Sequence, residues 1–184
     1  MIFRETSIAG AFLVESEPSA DVRGSFARTF CEREFSERGL ATKVAQCSIS
    51  RNLCRGILRG LHYQAEPYSE VKLVRCLTGA IYDVIVDLRR ESPTFKCFSA
   101  FELSGTNGFS LYIPRQVAHG FQTLTDDTDV LYQMSEFYHP ESARGIRWDD
   151  PGLRIEWPAQ PPQLSERDAA FPDFDWDASQ FSPV

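Results

Sequence analysis

Three observations predict an all-β chain, an antiparallel sandwich or barrel of the jelly-roll kind. Short runs rich in β-branched and aromatic residues recur at close spacing, turn residues separate them, and helical patterning is confined to brief stretches. From the N-terminus, residues 2–14 alternate and are apolar enough to form a strand that pairs outside its own barrel. Residues 33–38 (REFSER) with their neighbours predict one short helix. His62 and Lys72 fall on successive strands, the second over 72–77. Residues 79–88 (GAIYDVIVDL) alternate most cleanly, with Ile81, Asp83, Ile85 and Asp87 on one face and Tyr82, Val84, Val86 and Leu88 on the other. Further strands are expected at 97–103, 110–113, 130–135 and 145–148, and His119 lies beside a glycine turn at Gly120. Turns punctuate them at Thr78-Gly79, Ser92-Pro93, 105–108 and 125–127. Beyond the proline-rich stretch 157–162, Ser165 caps a second short helix, and an acidic, aromatic end follows. That end reads as an appendage packed on the barrel, since its aromatics would otherwise face water. Residues 1–184 are thus expected to form one domain, with an appendage from about 158 to 184.

Composition narrows the function. The 184 residues suffice for a core that needs no staples, and 42% hydrophobic with 24% charged residues is ordinary for a soluble globular protein. A formal net charge of −7 argues against a general nucleic-acid binder, because phosphate affinity needs a basic surface. No stretch approaches transmembrane length, and Met1-Ile2-Phe3-Arg4 lacks the apolar core of a signal peptide, so a cytoplasmic, membrane-free protein is expected. Cys31, Cys47, Cys54, Cys76 and Cys97 contain no C-x-x-C pair and read as free thiols in a reducing compartment.

The chemistry concentrates in two islands. Arg59-Gly60-Leu61-His62-Tyr63-Gln64, followed by Lys72-Leu73-Val74-Arg75, sets a histidine base near two cations. Downstream, 112–114 and Ala118-His119-Gly120-Phe121 add a second histidine, and Tyr132 follows. A histidine on a strand is often only a satisfied structural residue, but Arg59 and His62 make an unusually polar cluster for a barrel strand. Buried together, Arg59 and Lys72 anticipate an anionic ligand such as a diphosphate. Base, cation and phenol are what proton transfer next to a carbonyl requires. A carboxylate usually orients such a histidine, and Asp83, Asp87 and Asp168 are all candidates for His62.

Together these islands resemble the dTDP-4-dehydrorhamnose 3,5-epimerase family, the cupin-type sugar-nucleotide epimerases, over nearly the whole chain. The resemblance implies a cupin-like jelly-roll barrel with short flanking helices. It implies an isomerase that inverts C3, C5 or both of a nucleoside-diphosphate 4-keto-6-deoxyhexose. His62 matches the base and Asp168 its dyad partner. Tyr132 matches the acid, and Lys72 and His119 line the sugar pocket. Asp21-Val22-Arg23-Gly24-Ser25-Phe26 resembles the family's D-x-R-G-x-F segment, whose arginine often reaches in from a partner subunit. Tyr138 matches the tyrosine that stacks on the base, and Arg167 a basic contact. A homodimer with N-terminal strand exchange, a nucleotide-sugar substrate and no cofactor follow from the same likeness.

The chain departs from the family at three places. Arg28 stands where a glutamate is common, Gln46-Cys47-Ser48 replaces Q-x-N, and Ala143 replaces a glutamate, with Glu141 close by. These positions touch nucleotide and sugar recognition, so thymidine is the default and a CDP-sugar, favoured by an arginine donor at Arg28, is the variant. Phe26, Arg28, Gln46, Ser48 and Arg59 complete the expected substrate contacts. Two other classes stay open. One is a metal-dependent cupin oxygenase or isomerase, for which His62, His119 and His139 with Glu70 would be the donors. The other is a non-catalytic sugar-nucleotide binding module. No G-x-G-x-x-G joins a strand to a helix, so a nicotinamide cofactor is not expected.

Overall fold

The computed structural model describes residues 1–177; the end of the expected appendage, 178–184, lies outside the described residues. Two antiparallel sheets face each other. The first holds β1 (Ile2–Glu5), β2 (Phe12–Glu15), β10 (Phe109–Ile113), β7 (Lys72–Thr78), β12 (Thr128–Met134) and β5 (Gln46–Asn52), in that order. The second runs β13 (Ala143–Gly145), β6 (Leu58–Gln64), β11 (Val117–Thr123), β8 (Ala80–Asp87) and β9 (Phe98–Ser104). A separate exposed hairpin pairs β3 (Ser19–Asp21) with β4 (Gly24–Phe26). The chain is an all-β, cupin-like jelly-roll barrel, with two short helices, α1 (Glu32–Ser36) and α2 (Glu166–Ala169).

The alternation read along 79–88 sorts residues between two cores. Ile81 and Ile85 join Val74, Cys76, Leu111, Phe121 and Val130 between the sheets. Val84, Val86 and Leu88 face the opposite way, onto Leu58, Leu61, Ile146 and Trp157. A third cluster, Val14, Phe35, Leu73 and Tyr112, covers the outer face of the first sheet, where the single buried side chain of α1 is Phe35. Leu164, Phe174 and Trp176 of the described tail pack against the second core. Phe174 N–H donates to Asp150 Oδ2 at 2.8 Å, Trp176 Nε1–H donates to Asp150 Oδ1 at 3.1 Å, and both rings join the second core.

Three expectations are corrected. Residues 2–14 form not one strand but the antiparallel pair β1 and β2, because Gly10 takes a left-handed φ of 75° in the connection, while Thr6 closes it by hydrogen-bonding Ala11 O. His119 and Gly120 sit inside β11 rather than beside a turn. Gly120 is needed because β6 crosses so close that a Cβ there would lie 2.8 Å from Arg59 O. Pairing at 145–148 ends early: β13 stops at Gly145, over which the Phe171 ring lies.

Candidate active site

Between the two sheets opens a cavity of about 440 Å³, within the range of small-molecule sites. Each wall comes from a different sheet. His62 on β6 and His119 on β11 stand on one wall, and Lys72 on β7 and Tyr132 on β12 on the other. His62 and His119 are direct cross-strand partners. Two residues further along β11, Phe121 pairs with Arg59, which is three residues from His62 on β6. This bulge absorbs one residue. On a regular strand a three-residue separation would place Arg59 and His62 on opposite faces; here both line the cavity.

His62 Nε2 lies 2.7 Å from Asp168 Oδ1. The imidazole side chain is 40% exposed, while the carboxylate is 6% exposed. Asp168 is delivered by the short α2, whose cap Ser165 accepts the Asp168 N–H at 3.1 Å. Its other oxygen accepts the Gly60 N–H at 3.2 Å. Burial would raise the Asp168 carboxyl, but the His62 hydrogen bond and charge, the Gly60 N–H and Arg167 hold it below the usual carboxylate range. Phe171 packs edge-on to His62, ring centroids 6.1 Å apart, and so helps fix the ring. Of the three candidate carboxylates, Asp168 meets His62. Asp83 instead meets His119, Oδ1 to Nε2 at 2.6 Å in full burial, and Asp87 is held by Arg89 at 2.7 Å.

Lys72 Nζ donates to His62 O at 3.1 Å and lies 3.0 Å from Glu70 Oε1. Tyr132 packs edge-on to His119 at 5.8 Å. Burial raises its phenol far above the usual range, the Asp83 charge adds to this, and Arg59 opposes it. The group therefore stays protonated, an acid rather than a base. Arg59 is exposed rather than buried, its Nε donating to Asn52 Oδ1 at 2.8 Å, so its guanidinium faces the open cavity without burial cost. Arg167 lies over the Phe171 ring at 5.9 Å. Tyr138 is 58% exposed at the mouth, where Gln46 Oε1 accepts its backbone N–H at 2.7 Å.

Gln46, Arg59, His119, Tyr138 and Arg167 thus join the four expected catalytic residues around one cavity. Arg23, Phe26, Arg28 and Ser48 are not among its lining residues. Arg23 pairs with Asp21 on the β3–β4 hairpin, Phe26 is 82% exposed there, and Arg28 reaches Glu34 at 3.4 Å. Ser50, Tyr63, Met134, Glu136 and Arg144 line the cavity without having been singled out. The strand period would have found two of them: Gln46 and Ser50 share a face of β5, and Met134 pairs with Gln46 in register. Tyr63 carries a phenol pushed up to about 12 by burial, with Arg144 pulling the other way. The three histidines do not converge with Glu70. They pair separately with Asp168, Asp83 and Glu141, and among the described residues no group of three His, Cys, Asp or Glu is arranged to hold a metal.

A carboxylate-oriented histidine facing a phenol, with an ammonium and a second histidine alongside, defines a jelly-roll isomerase equipped for proton transfer at carbon. Residues 5–175 match the family model described as dTDP-4-dehydrorhamnose 3,5-epimerase, and the chain belongs to that family. The dTDP-4-dehydrorhamnose 3,5-epimerase of Shigella flexneri is 41% identical over 165 residues, 89% of this chain and 91% of that protein. The crystal structure of the Bacillus anthracis dTDP-4-dehydrorhamnose 3,5-epimerase with TDP and PPi bound superposes with a TM-score of 0.91 at 38% identity, covering 94% of this chain and 99% of that one. The Legionella pneumophila dTDP-6-deoxy-D-glucose-3,5-epimerase, in complex with dTDP-4-keto-L-rhamnose, gives 0.87 at 38% identity over 92% and 90%. Among the described residues no helix is long and apolar enough to cross a membrane.

Proposed function

We propose that this chain inverts C3, C5 or both of a nucleoside-diphosphate 4-keto-6-deoxyhexose, with dTDP-4-dehydro-6-deoxyglucose as the family default. The observation that carries the reading is the 2.7 Å His62–Asp168 pair, with His119 beside it on the same wall, facing Lys72 and Tyr132 across one cavity. With Nε2–H donating to Asp168, the lone pair on His62 Nδ1 is the base. It takes the proton from a carbon flanking the C4 ketone, and the C–H electrons move into an enolate whose charge rests on O4. Lys72 and His119 stabilise that oxygen. The Tyr132 O–H returns a proton from the opposite wall, which inverts the centre, and a ring flip presents the second carbon.

Arg59 and Arg167 hold the diphosphate, Gln46 sits beside the nucleotide, and Tyr138 stacks on the base. Thymidine is the family default, and Arg28, which pairs with Glu34 at 3.4 Å, is the donor that would suit a cytidine nucleotide instead. The exposed β3–β4 hairpin suits a C2 homodimer in which Arg23, Phe26 and Arg28 serve the partner's cavity, with Ser48 on the edge strand β5 beside the join. β1 at the other edge of the sheet is the strand available for exchange. Residues 1–184 act as one catalytic domain in the cytoplasm, with no cofactor.

Incubation with the 4-keto sugar nucleotide in deuterated water tests the reading. Deuterium is expected at C3, C5 or both, with inverted product. Tight nucleotide binding without exchange would mean a binding module instead.

A further inference from the structure

Among the described residues, two buried side-chain atoms lack a hydrogen-bond partner, and both are oxygens of carboxylates that hold the cavity's donors: Asp83 Oδ2 and Oε2 of Glu70, which itself lines the cavity. Each acid commits its other oxygen to a donor, Glu70 Oε1 to Lys72 Nζ at 3.0 Å and Asp83 Oδ1 to His119 at 2.6 Å. A buried acceptor left bare is unfavourable, so its retention asks for a reason. We propose that Glu70 is a positioning residue, which acts through Lys72 to aim one ammonium N–H at the substrate's ketone oxygen. This rests on the proposed role of Lys72 as the enolate's donor.

The geometry of the ammonium carries the inference. Lysine is a point charge on a flexible four-carbon stem, with three donors and no fixed fork. Glu70 Oε1 takes one donor and His62 O, at 3.1 Å, takes another. The third is thereby directed, and Lys72 lines the cavity. Glu70 is itself built into place, with its side chain 7% exposed. The Gln116 N–H donates to Ser69 Oγ at 3.2 Å, Arg115 donates to Ser69 O, and the Val71 N–H donates to Ser135 Oγ at 2.8 Å. Both neighbours of Glu70 in the chain are therefore clamped. One contact through His62 O alone would leave the ammonium free to swing, and small misplacements of a catalytic group are costly to rate.

The test compares Glu70→Ala, Glu70→Gln and Lys72→Met by deuterium exchange into the 4-keto sugar nucleotide, with binding of thymidine diphosphate and thermal melting as controls. Glu70→Ala should lower kcat for exchange on the order of tenfold to a hundredfold, with KM and diphosphate binding within about threefold. Glu70→Gln should keep at least about a third of the rate, since its amide oxygen still accepts from Nζ. A folded Glu70→Ala that exchanges at the wild-type rate overturns the proposal. So does a Glu70→Gln that falls as far as Glu70→Ala, because charge rather than aim would then be at work. If Glu70→Ala is too unstable to assay, Glu70→Met, which keeps the volume and removes the acceptor, takes its place with the same expected loss and the same overturning outcome. Lys72→Met separates the two readings: an undiminished rate there removes the donor role itself, whereas loss there with a normal Glu70→Ala removes the present inference alone.

Discussion

His62 and His119 face one another across the β6–β11 ladder, yet each is committed to a different carboxylate, Asp168 at 2.7 Å and Asp83 at 2.6 Å. The two pairs differ in exposure. The His119–Asp83 pair is sealed, at 3% and 0%, whereas the His62 side chain is 40% open to the cavity. Oriented in this way, His62 is the more open of the two to the cavity, while His119 lines it from a position that Asp83 holds fixed.

Removing Asp83 should therefore be felt first in stability. Asp83→Ala leaves a buried imidazole nitrogen without its acceptor, at a cost of about 1–3 kcal/mol, and more if the ring is charged. Asp83→Asn keeps an acceptor and should lose less. Urea unfolding checks this: the alanine variant's midpoint should drop with an unchanged slope, and a midpoint equal to the wild type's would show that the pair contributes nothing net.

The Asp168 pair should declare itself in acid. Its carboxyl lies below the ordinary value in the folded state, so its contribution to stability is fully present above the unfolded value of about 3.9 and is lost as pH falls through the folded value. The stability difference between wild type and Asp168→Asn should shrink as pH falls from about 5 to below about 4. Unfolding free energies across that range decide it; a difference that grows on acidification would contradict the depressed carboxyl. In exchange assays His62→Ala should cost on the order of 10²–10⁴ in rate, and Asp168→Asn less, because the imidazole remains.

Much of this site was legible beforehand, for reasons that particular residues show. The period-2 run at 79–88 put Asp83 on the face of Ile81 and Ile85, and it lies there, beside His119. The resemblance, not the spacing, linked His62 to Asp168, 106 residues away, since no local pattern brings a tail helix to a barrel strand. The place of Arg144 in the cavity depends on which strands pair, and Glu70 reads in the sequence only as a possible metal donor. The bulge that turns Arg59 and His62 to one side was hidden as well, because the fit of Gly60 against Gly120 is a contact between distant strands. The hairpin at 2–14 was misread as one strand because its turn at Gly10 has little local signal.

Tyr132 separates the two proton transfers. Its phenol is raised by burial and by Asp83, so no tyrosinate absorbance from it should appear below about pH 10. The difference between wild-type and Tyr132→Phe alkaline titrations measures this. In the phenylalanine variant, deuterium should still enter at the carbon that His62 deprotonates, with retention, while net inversion falls by tenfold or more. Equal loss of exchange and inversion would make Tyr132 a residue that positions substrate.

Assembly gives the last prediction. Arg23 stands 86% exposed on the β3–β4 hairpin, paired only with Asp21 among the described residues, and Val22 and Phe26 beside it are also exposed. A hairpin with so much apolar surface in water is best explained by a partner that covers it. If Arg23 serves the neighbouring cavity, then a His62→Ala protomer and an Arg23→Ala protomer, each inactive as a homodimer, should complement. In a mixed dimer one cavity has both lesions, while the other has an intact His62 and receives an intact Arg23. Mixed in equal amounts with free exchange, half of the dimers are mixed and each carries one complete site, so about a quarter of the wild-type activity should return. Absence of rescue despite exchange confirmed by mass spectrometry would place Arg23 outside the catalytic assembly, and a monomer at micromolar concentration in sedimentation would remove the dimer itself.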